Sequence, residues 1–206
     1  MTFARESSPL SFGDSARSAW IVATGPSATA LPKDLHPPST IAVNDAWQLV
    51  PDAAACYAGD IEWWRQHGAL CARGFTGERW TSANPAADYL PVRQVSWRRG
   101  NTMPPEPGCI CFGAGAGKSS TLQAMSLAVL WGAGRLVLVG VDLGVVGGMA
   151  HFFGEHPPAL RKRKSHFEHQ RRAIGQLACD LAGRGIQVIN LSPHSRICGT
   201  THPEQP

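Results

Sequence analysis

One apolar run restricts the possible folds more than any other feature of the chain. Residues 135–141 read Arg-Leu-Val-Leu-Val-Gly-Val and are followed directly by Asp142. A strand buried on both faces has this continuously apolar character, and such strands occur almost only in parallel sheets that are covered by helices. The run therefore predicts a central parallel strand of an α/β protein, with Asp142 at its carboxyl end.

Shorter apolar runs alternate with helical patterns along the rest of the chain. Strands are predicted at 19–23, 40–43, 53–57, 109–112 and 186–190, and helices at 46–50, 61–67, 118–131 and 162–182. Such alternation is typical of βαβ units, which build a mostly parallel sheet. The expected fold class is α/β, as a single Rossmann-like domain with helices flanking the sheet.

The length and composition of the chain fit one globular domain. The 206 residues are 43% hydrophobic and 17% charged, which is not the composition of a disordered protein. We interpret the Ser-rich residues 1–18 as a flexible leader, 19–200 as the α/β domain and 201–206 as a tail. Six cysteines without a CxxC motif, and no signal peptide or membrane span, predict a cytoplasmic protein with reduced, buried thiols.

Polar residues follow most of the predicted strands at their carboxyl ends, where open parallel sheets bind ligands. Each of them alone could simply cap a helix or a turn. Together they indicate a ligand site at this edge, although capping could account for most of them. The residues are Thr24-Gly25-Pro26-Ser27, Asn44-Asp45, Asp60, Ser119-Ser120, Asp142, and Asn190 with Ser192.

A glycine-rich segment, Gly113–Gly117, precedes Lys118 and Ser119 and approximates a P-loop. The P-loop pattern G-x-x-x-x-G-K-[ST] requires glycine where this chain has Phe112, so the loop is one residue short. Two interpretations stay open. The segment is either an ATP- or GTP-binding loop, with magnesium at Asp142, or a helix start that binds phosphate through its free N–H groups.

Histidines and basic residues cluster between positions 151 and 172. The spacing of His151, His156, His166 and His169 fits no standard zinc pattern, so no metal site is predicted. A histidine acting as a general base is the alternative, because imidazole titrates near neutral pH. The 161–172 basic cluster is either a solvated surface or an anion site for phosphate or nucleic acid.

Seven segments, in this order, resemble the family-42 sialyltransferases and their relatives. Those relatives include hydroxymethylpterin diphosphokinase-like proteins and many bacteriophage-encoded proteins. The chain resembles the bacteriophage-encoded proteins most. The segments are Trp20–Ser27, Ile41–Asp45, Tyr57–Trp64, Ser119–Met125, Leu136–Asp142, His151–Pro157 and Val188–Pro193. Two departures are the replacement of an Asn in the GNGPS pattern by Thr24, and the lack of two phosphate-binding tyrosines after Asp142, where Gly144 and His151 stand.

The resemblance implies a pocket for a nucleotide or nucleotide sugar, with a CMP-type donor favoured and no cofactor required. It places the general base before the last long helix, at His169 or, second by spacing, His166. Gly25, Ser27, Asn44 and Ser120 match its nucleotide-contacting positions. With the residues from the strand ends and loops, the expected nucleotide-binding set is Gly25, Pro26, Ser27, Asn44, Asp60, Ser119, Ser120, Asp142 and His151.

The function expected from the sequence is a sialyltransferase-like glycosyl or group transferase, of phage or prophage origin, with an unidentified acceptor. Two alternatives remain open. One is a non-catalytic phage accessory protein that binds a nucleotide or nucleic acid, and the other is a P-loop-like phosphotransferase. Whether the chain forms a homo-oligomer is also open.

Overall fold

The computed structural model describes residues 18–32, 36–83, 92–155 and 165–203. Most of the leader predicted at 1–18, the basic residues 161–164 and His156 lie outside these ranges. Of the predicted tail, residues 201–203 are described, and Thr201 forms a parallel bridge with Ile189.

Within the described ranges, seven parallel strands form the main sheet; five of them lie at the predicted apolar runs, and the two between residues 78 and 94 were not among the predicted strands. The strands are β1 (Ser18–Val22), β2 (Thr40–Val43), β3 (Ala55–Tyr57), β4 (Glu78–Thr81), β5 (Arg93–Gln94), β8 (Arg135–Val139) and β9 (Gln187–Asn190), in the order β5-β4-β3-β2-β1-β8-β9. Two further strands, β6 (Ser96–Arg98) and β7 (Cys109–Cys111), pair in parallel as a separate sheet. The predicted strand at 109–112 therefore lies outside the main sheet.

Three helices cover the two faces of the main sheet: α1 (Ile61–Gly74), α2 (Ser120–Leu130) and α3 (Ser165–Gly183). Alternate residues of each strand enter different cores. Ile21 and Leu138 pack with α2 and α3, whereas Val22 and Val139 pack with the tryptophans of α1. This arrangement confirms the α/β fold class. None of the helices within the described ranges has the length and apolar character that a membrane span needs.

The order of the strands creates a switch point between β1 and β8. From β1 the chain continues to β2 on one side, and from β8 it continues to β9 on the other. At such a point the loops that follow the two strands diverge and leave a crevice at their carboxyl ends, where α/β proteins bind ligands. The fold therefore directs attention to the residues after Val22 and Val139.

One prediction about the cysteines is wrong. Four of the six are buried, but Cys179 and Cys198 are exposed. Cys179 stands in an apolar run, yet α3 turns Leu177, Ala178 and Leu181 into the core and leaves Cys179 on the opposite face. The run is helical, so its buried residues follow a period of 3.6 rather than forming a continuous buried block.

Candidate functional site

A cavity of about 240 Å³ opens at the carboxyl ends of β1, β2 and β8, at the switch point of the sheet. The loops after these strands form its floor, the first turn of α2 forms one wall, and the loop after β8 together with α3 forms another. Its lining residues are 23–25, 43–44, 119–121, 140–143, 145, 150–151, 155, 167 and 170.

The cavity brings together six of the residues that the sequence suggested for nucleotide binding. They come from five separate segments of the chain and are Gly25, Asn44, Ser119, Ser120, Asp142 and His151. Pro26, Ser27 and Asp60 do not line it. The two histidines expected to act as general base, His166 and His169, do not line it either, although their neighbours on α3 do.

Asn44 has the most unusual environment in the cavity. Its φ is +51°, in the left-handed region, and its Oδ1 atom is buried without a hydrogen-bond partner. Leu143, with φ +49°, is the other non-glycine residue with positive φ among the described residues, and it also lines the cavity. Left-handed backbone in a non-glycine residue and an unsatisfied buried polar atom both cost stability, and both concentrate at functional sites.

Asp142 holds the turn after β1 in place. Its Oδ2 accepts a hydrogen bond from the Ser27 amide at 2.8 Å, and its Oδ1 accepts one from the Ser27 hydroxyl at 2.6 Å. Both carboxylate oxygens thus bind Ser27, and Asp142 is 2% exposed while it also lines the cavity. Ser27 is the partner in this contact and does not itself line the cavity.

Gly25 permits the close packing between this turn and the end of β8. A Cβ atom at Gly25 would lie 2.5 Å from both the Asp142 Oδ2 atom and the Gly140 carbonyl oxygen. The Gly25 amide donates to the same carbonyl at 2.8 Å. The glycine expected to contact a nucleotide therefore also has a packing requirement of its own.

The first turn of α2 forms part of the cavity wall. Ser119 is the N-cap residue, but its side chain makes no capping hydrogen bond. The Ser120 hydroxyl accepts from the Gly59 amide at 3.1 Å, so it fixes the β3–α1 loop. Asp60, the next residue of that loop, caps α1 by accepting from the Glu62 amide. The uncapped start of α2 carries partial positive charge, which favours an anionic ligand.

Among the histidines that the structure describes, His151 is the one that lines the cavity. Its Nδ1 atom forms a hydrogen bond of 3.0 Å with the Thr24 hydroxyl, and its ring stacks on Phe153 at 5.2 Å between centroids. The Phe152 amide also donates to the Thr24 carbonyl, which joins this loop to the end of β1. The imidazole is therefore oriented by Thr24.

Several lining residues were not anticipated from the sequence. Phe167 and Gln170 come from α3, Leu143 and Glu155 from the loop after β8, and Thr121 from α2. Gln170 is buried and donates to the Lys118 carbonyl at 3.3 Å, so it joins α3 to the start of α2. The spacing of Phe167 and Gln170 places them on one side of α3, but that pattern equally describes a helix packed on a core.

The glycine-rich segment does not have P-loop surroundings. The strand before it, β7, belongs to the small sheet rather than to the main one. Gly117 packs against α3, where a Cβ atom would lie 2.8 Å from the Ala173 Cβ. The Lys118 Nζ atom lies 5.3 Å from the centre of the Phe112 ring, and Lys118 is not among the residues that line the cavity.

Arg171, within the predicted basic cluster, binds the backbone of a residue that lines the cavity. Its Nη2 donates to the carbonyl of Leu143 at 2.9 Å, and its Nη1 donates to Glu168 at 2.9 Å. Arg172 pairs with the same glutamate at 3.1 Å. The described part of the basic cluster is therefore partly neutralised, and Arg171 holds a residue whose backbone is strained.

We expect Arg171→Met to lower the free energy of unfolding by about 1–2 kcal/mol, because the Leu143 carbonyl loses a charged donor. Arg172→Met is the matched control, since it removes the other partner of Glu168 from a side chain that is 73% exposed. Exposed ion pairs contribute little, so this change should stay within about 0.5 kcal/mol. Urea denaturation measures both, and equal losses would contradict a positioning role for Arg171.

Comparisons with family models, with curated proteins and with solved structures gave no match for this chain.

Proposed function

We propose that the cavity binds the nucleotide of an activated donor, of CMP type, and that the protein is a sialyltransferase-like group transferase. The unsatisfied Oδ1 atom of Asn44 carries this proposal. A buried acceptor without a partner destabilises the free protein, so a ligand that donates a hydrogen bond there gains affinity. The amino group of a cytosine base and the hydroxyl groups of a ribose are donors of this kind.

The start of α2 supports the proposal that the phosphate of the nucleotide binds in the same cavity. Ser119, Ser120 and Thr121 bring the start of α2 to the cavity, and N–H groups at a helix start bind phosphate groups well. The cavity of about 240 Å³ is smaller than the ~300–1,000 Å³ of a typical ligand cleft. It therefore suits the nucleotide portion, while the transferred group and the acceptor would lie towards the loop after β8.

His151 is the general base in this proposal, in place of His169 or His166, because it lines the cavity and those two, both within the described residues, do not. It would take the proton of the acceptor hydroxyl while the acceptor oxygen bonds to the sugar carbon. The bond between that carbon and the phosphate oxygen breaks, and the nucleotide leaves with the electron pair. Hydrogen-bond donors at the start of α2 would stabilise the negative charge on the leaving phosphate, so the proposal requires no metal.

The binding step is tested by thermal unfolding with CMP in the absence of magnesium. At about 100 times the dissociation constant, CMP should raise the Tm by about 5–10 °C. Asn44→Gly removes the Oδ1 atom but keeps the positive φ, and it should weaken binding about tenfold. Asn101→Ala, at a half-buried asparagine that does not line the cavity, is the control and should bind CMP normally.

Other outcomes of this measurement decide between the proposed function and its alternatives. Lys118→Ala should weaken CMP binding less than Ser120→Ala, because Lys118 does not line the cavity. If ATP with magnesium stabilises the protein, CMP does not, and Lys118→Ala abolishes the effect, the protein is a P-loop phosphotransferase. If no nucleotide changes the Tm at millimolar concentration, the proposal fails.

The catalytic step is tested by the release of CMP from CMP-sialic acid, to water or to an added sugar acceptor. His151→Ala should lower turnover by about 10²–10⁴-fold and leave CMP binding nearly unchanged. His169→Ala is the matched control, since it replaces an exposed histidine on α3 that does not line the cavity. Binding of CMP without any release would identify a non-catalytic nucleotide-binding protein, the phage accessory alternative.

A further inference from the structure

Two exposed cysteines lie next to each other at the edge of the fold. Cys179 is on α3, Cys198 is in the segment that follows β9, and their Sγ atoms are 3.6 Å apart. The other four cysteines are buried. Thiols that are both accessible and adjacent are the ones that small oxidants reach, whereas buried thiols are inert.

The backbones that carry the two thiols are held close together by packing on glycine. A Cβ atom at Gly199 would lie 2.6 Å from the Cys179 amide nitrogen, and Gly199 has φ +76°. At Gly175, one helical turn earlier, a Cβ atom would lie 3.3 Å from the Cys198 Cβ. Both positions therefore allow the segment to lie directly on α3.

The same segment is also anchored to the main sheet. The Thr201 amide donates to the Val188 carbonyl at 2.9 Å, and its carbonyl accepts from the Asn190 amide at 2.8 Å. Cys198 is thus fixed from both sides, by α3 and by β9. The sulfur atoms, 3.6 Å apart, must approach to about 2.05 Å to form a disulfide bond.

We propose that Cys179 and Cys198 are a site of reversible oxidation, at which a small-molecule disulfide such as oxidised glutathione converts the two thiols into a disulfide bond. One cysteine thiolate attacks the small disulfide, breaks its S–S bond and releases one small thiol. The second cysteine thiolate then attacks the mixed disulfide and releases the other. Two electrons and two protons pass from the protein to the small molecule, which leaves as two reduced thiols.

The hydrogen bond between the two thiols raises the pKa of Cys179 above its ordinary value. Since the thiolate is the attacking species, oxidation should become faster as the pH rises towards that pKa. The disulfide bond would close a loop that contains β9 and the residues from Asn190 to Ser195. Closure of a loop restricts the unfolded chain, so the oxidised protein should be more stable than the reduced one.

The experiment uses the full chain, incubated with oxidised glutathione and analysed by intact mass and by mapping of proteolytic peptides. We expect a mass about 2 Da lower, a peptide that links Cys179 to Cys198, and a Tm higher by about 6–12 °C. Dithiothreitol should reverse all three changes. Activity and nucleotide binding do not enter the measurement, so the result is independent of the proposed function.

The double variant C179S/C198S is the control, because it keeps the four buried cysteines. It should show neither the loss of mass nor the rise in Tm. The proposal is overturned if the double variant oxidises like the wild type, or if the linked peptide joins other cysteines. A stable glutathione adduct in place of the internal disulfide would also overturn it, since that outcome means that the second thiol does not reach the first.

Discussion

Gly140→Ala should lower the free energy of unfolding by about 2–5 kcal/mol, a large share of the ~5–15 kcal/mol that is typical of native proteins. Gly140 follows β8 with φ +67°, a conformation that costs an alanine about 1–2 kcal/mol. In addition, a Cβ atom there would lie 2.5 Å from the Ala28 Cβ and 2.7 Å from the Ala23 carbonyl oxygen. Crowding of a packed core typically costs about 1–3 kcal/mol more.

The control for Gly140→Ala is Gly132→Ala. Gly132 also has a positive φ, +95°, but a Cβ atom there meets nothing within 4 Å. This variant therefore carries the backbone cost without the crowding, and its loss should be about 1–2 kcal/mol. Urea denaturation of both proteins gives the difference. Equal losses in the free energy of unfolding would contradict the prediction, because they would show that the turn after β1 moves away from the end of β8 at little cost.

The contact between the turn after β1 and the end of β8 shows why the strand ends could be predicted from the sequence while the roles of their residues could not. Apolar runs followed by Gly25, Asn44 and Asp142 indicate the ends of buried strands, and the structure places all three at one cavity. That Asp142 binds Ser27 depends on β1 and β8 being neighbours, although the two residues are 115 positions apart. No local pattern contains that information.

The contribution of α3 to the cavity illustrates a second limit of prediction from the sequence. The sequence predicts the helix and its histidines, and chemistry alone favours a histidine as the functional group. The structure instead places Phe167 and Gln170 at the cavity and leaves His169 exposed. The buried residues Ala173, Ile174 and Leu177 fix which side of α3 meets the core, so the helical period contained part of the answer.

The unusual backbone of Asn44 could not be predicted at all, because no sequence pattern distinguishes Asn44 from an ordinary residue after a strand. Asparagine tolerates the left-handed region better than most residues, which is consistent with its position here. Leu143 has no such tolerance, and its carbonyl is held by Arg171 from α3. The strain at the cavity is thus maintained by contacts that form only when the distant segments have packed together.

Asn190→Ala should lower the free energy of unfolding by about 3–4 kcal/mol, because it dismantles a buried hydrogen-bond network. Asn190 is completely buried at the end of β9. Its Nδ2 donates to the Ser195 carbonyl at 3.2 Å and to the Ser195 hydroxyl at 3.0 Å, and its Oδ1 accepts from the Ser192 amide at 3.0 Å. In the alanine variant the Ser192 amide and the Ser195 carbonyl lose these hydrogen bonds in the interior.

The effect should extend to the cavity, because the two serines hold Val141. The Val141 amide donates to the Ser192 hydroxyl at 2.7 Å, and the Ser195 hydroxyl donates to the Val141 carbonyl at 2.6 Å. Gln187→Ala, at the exposed start of the same strand, should change the stability by no more than about 0.5 kcal/mol. Urea denaturation tests both variants. If Asn190→Ala lowers the free energy of unfolding by less than about 1 kcal/mol, water replaces the side chain. The segment after β9 then does not support the floor of the cavity.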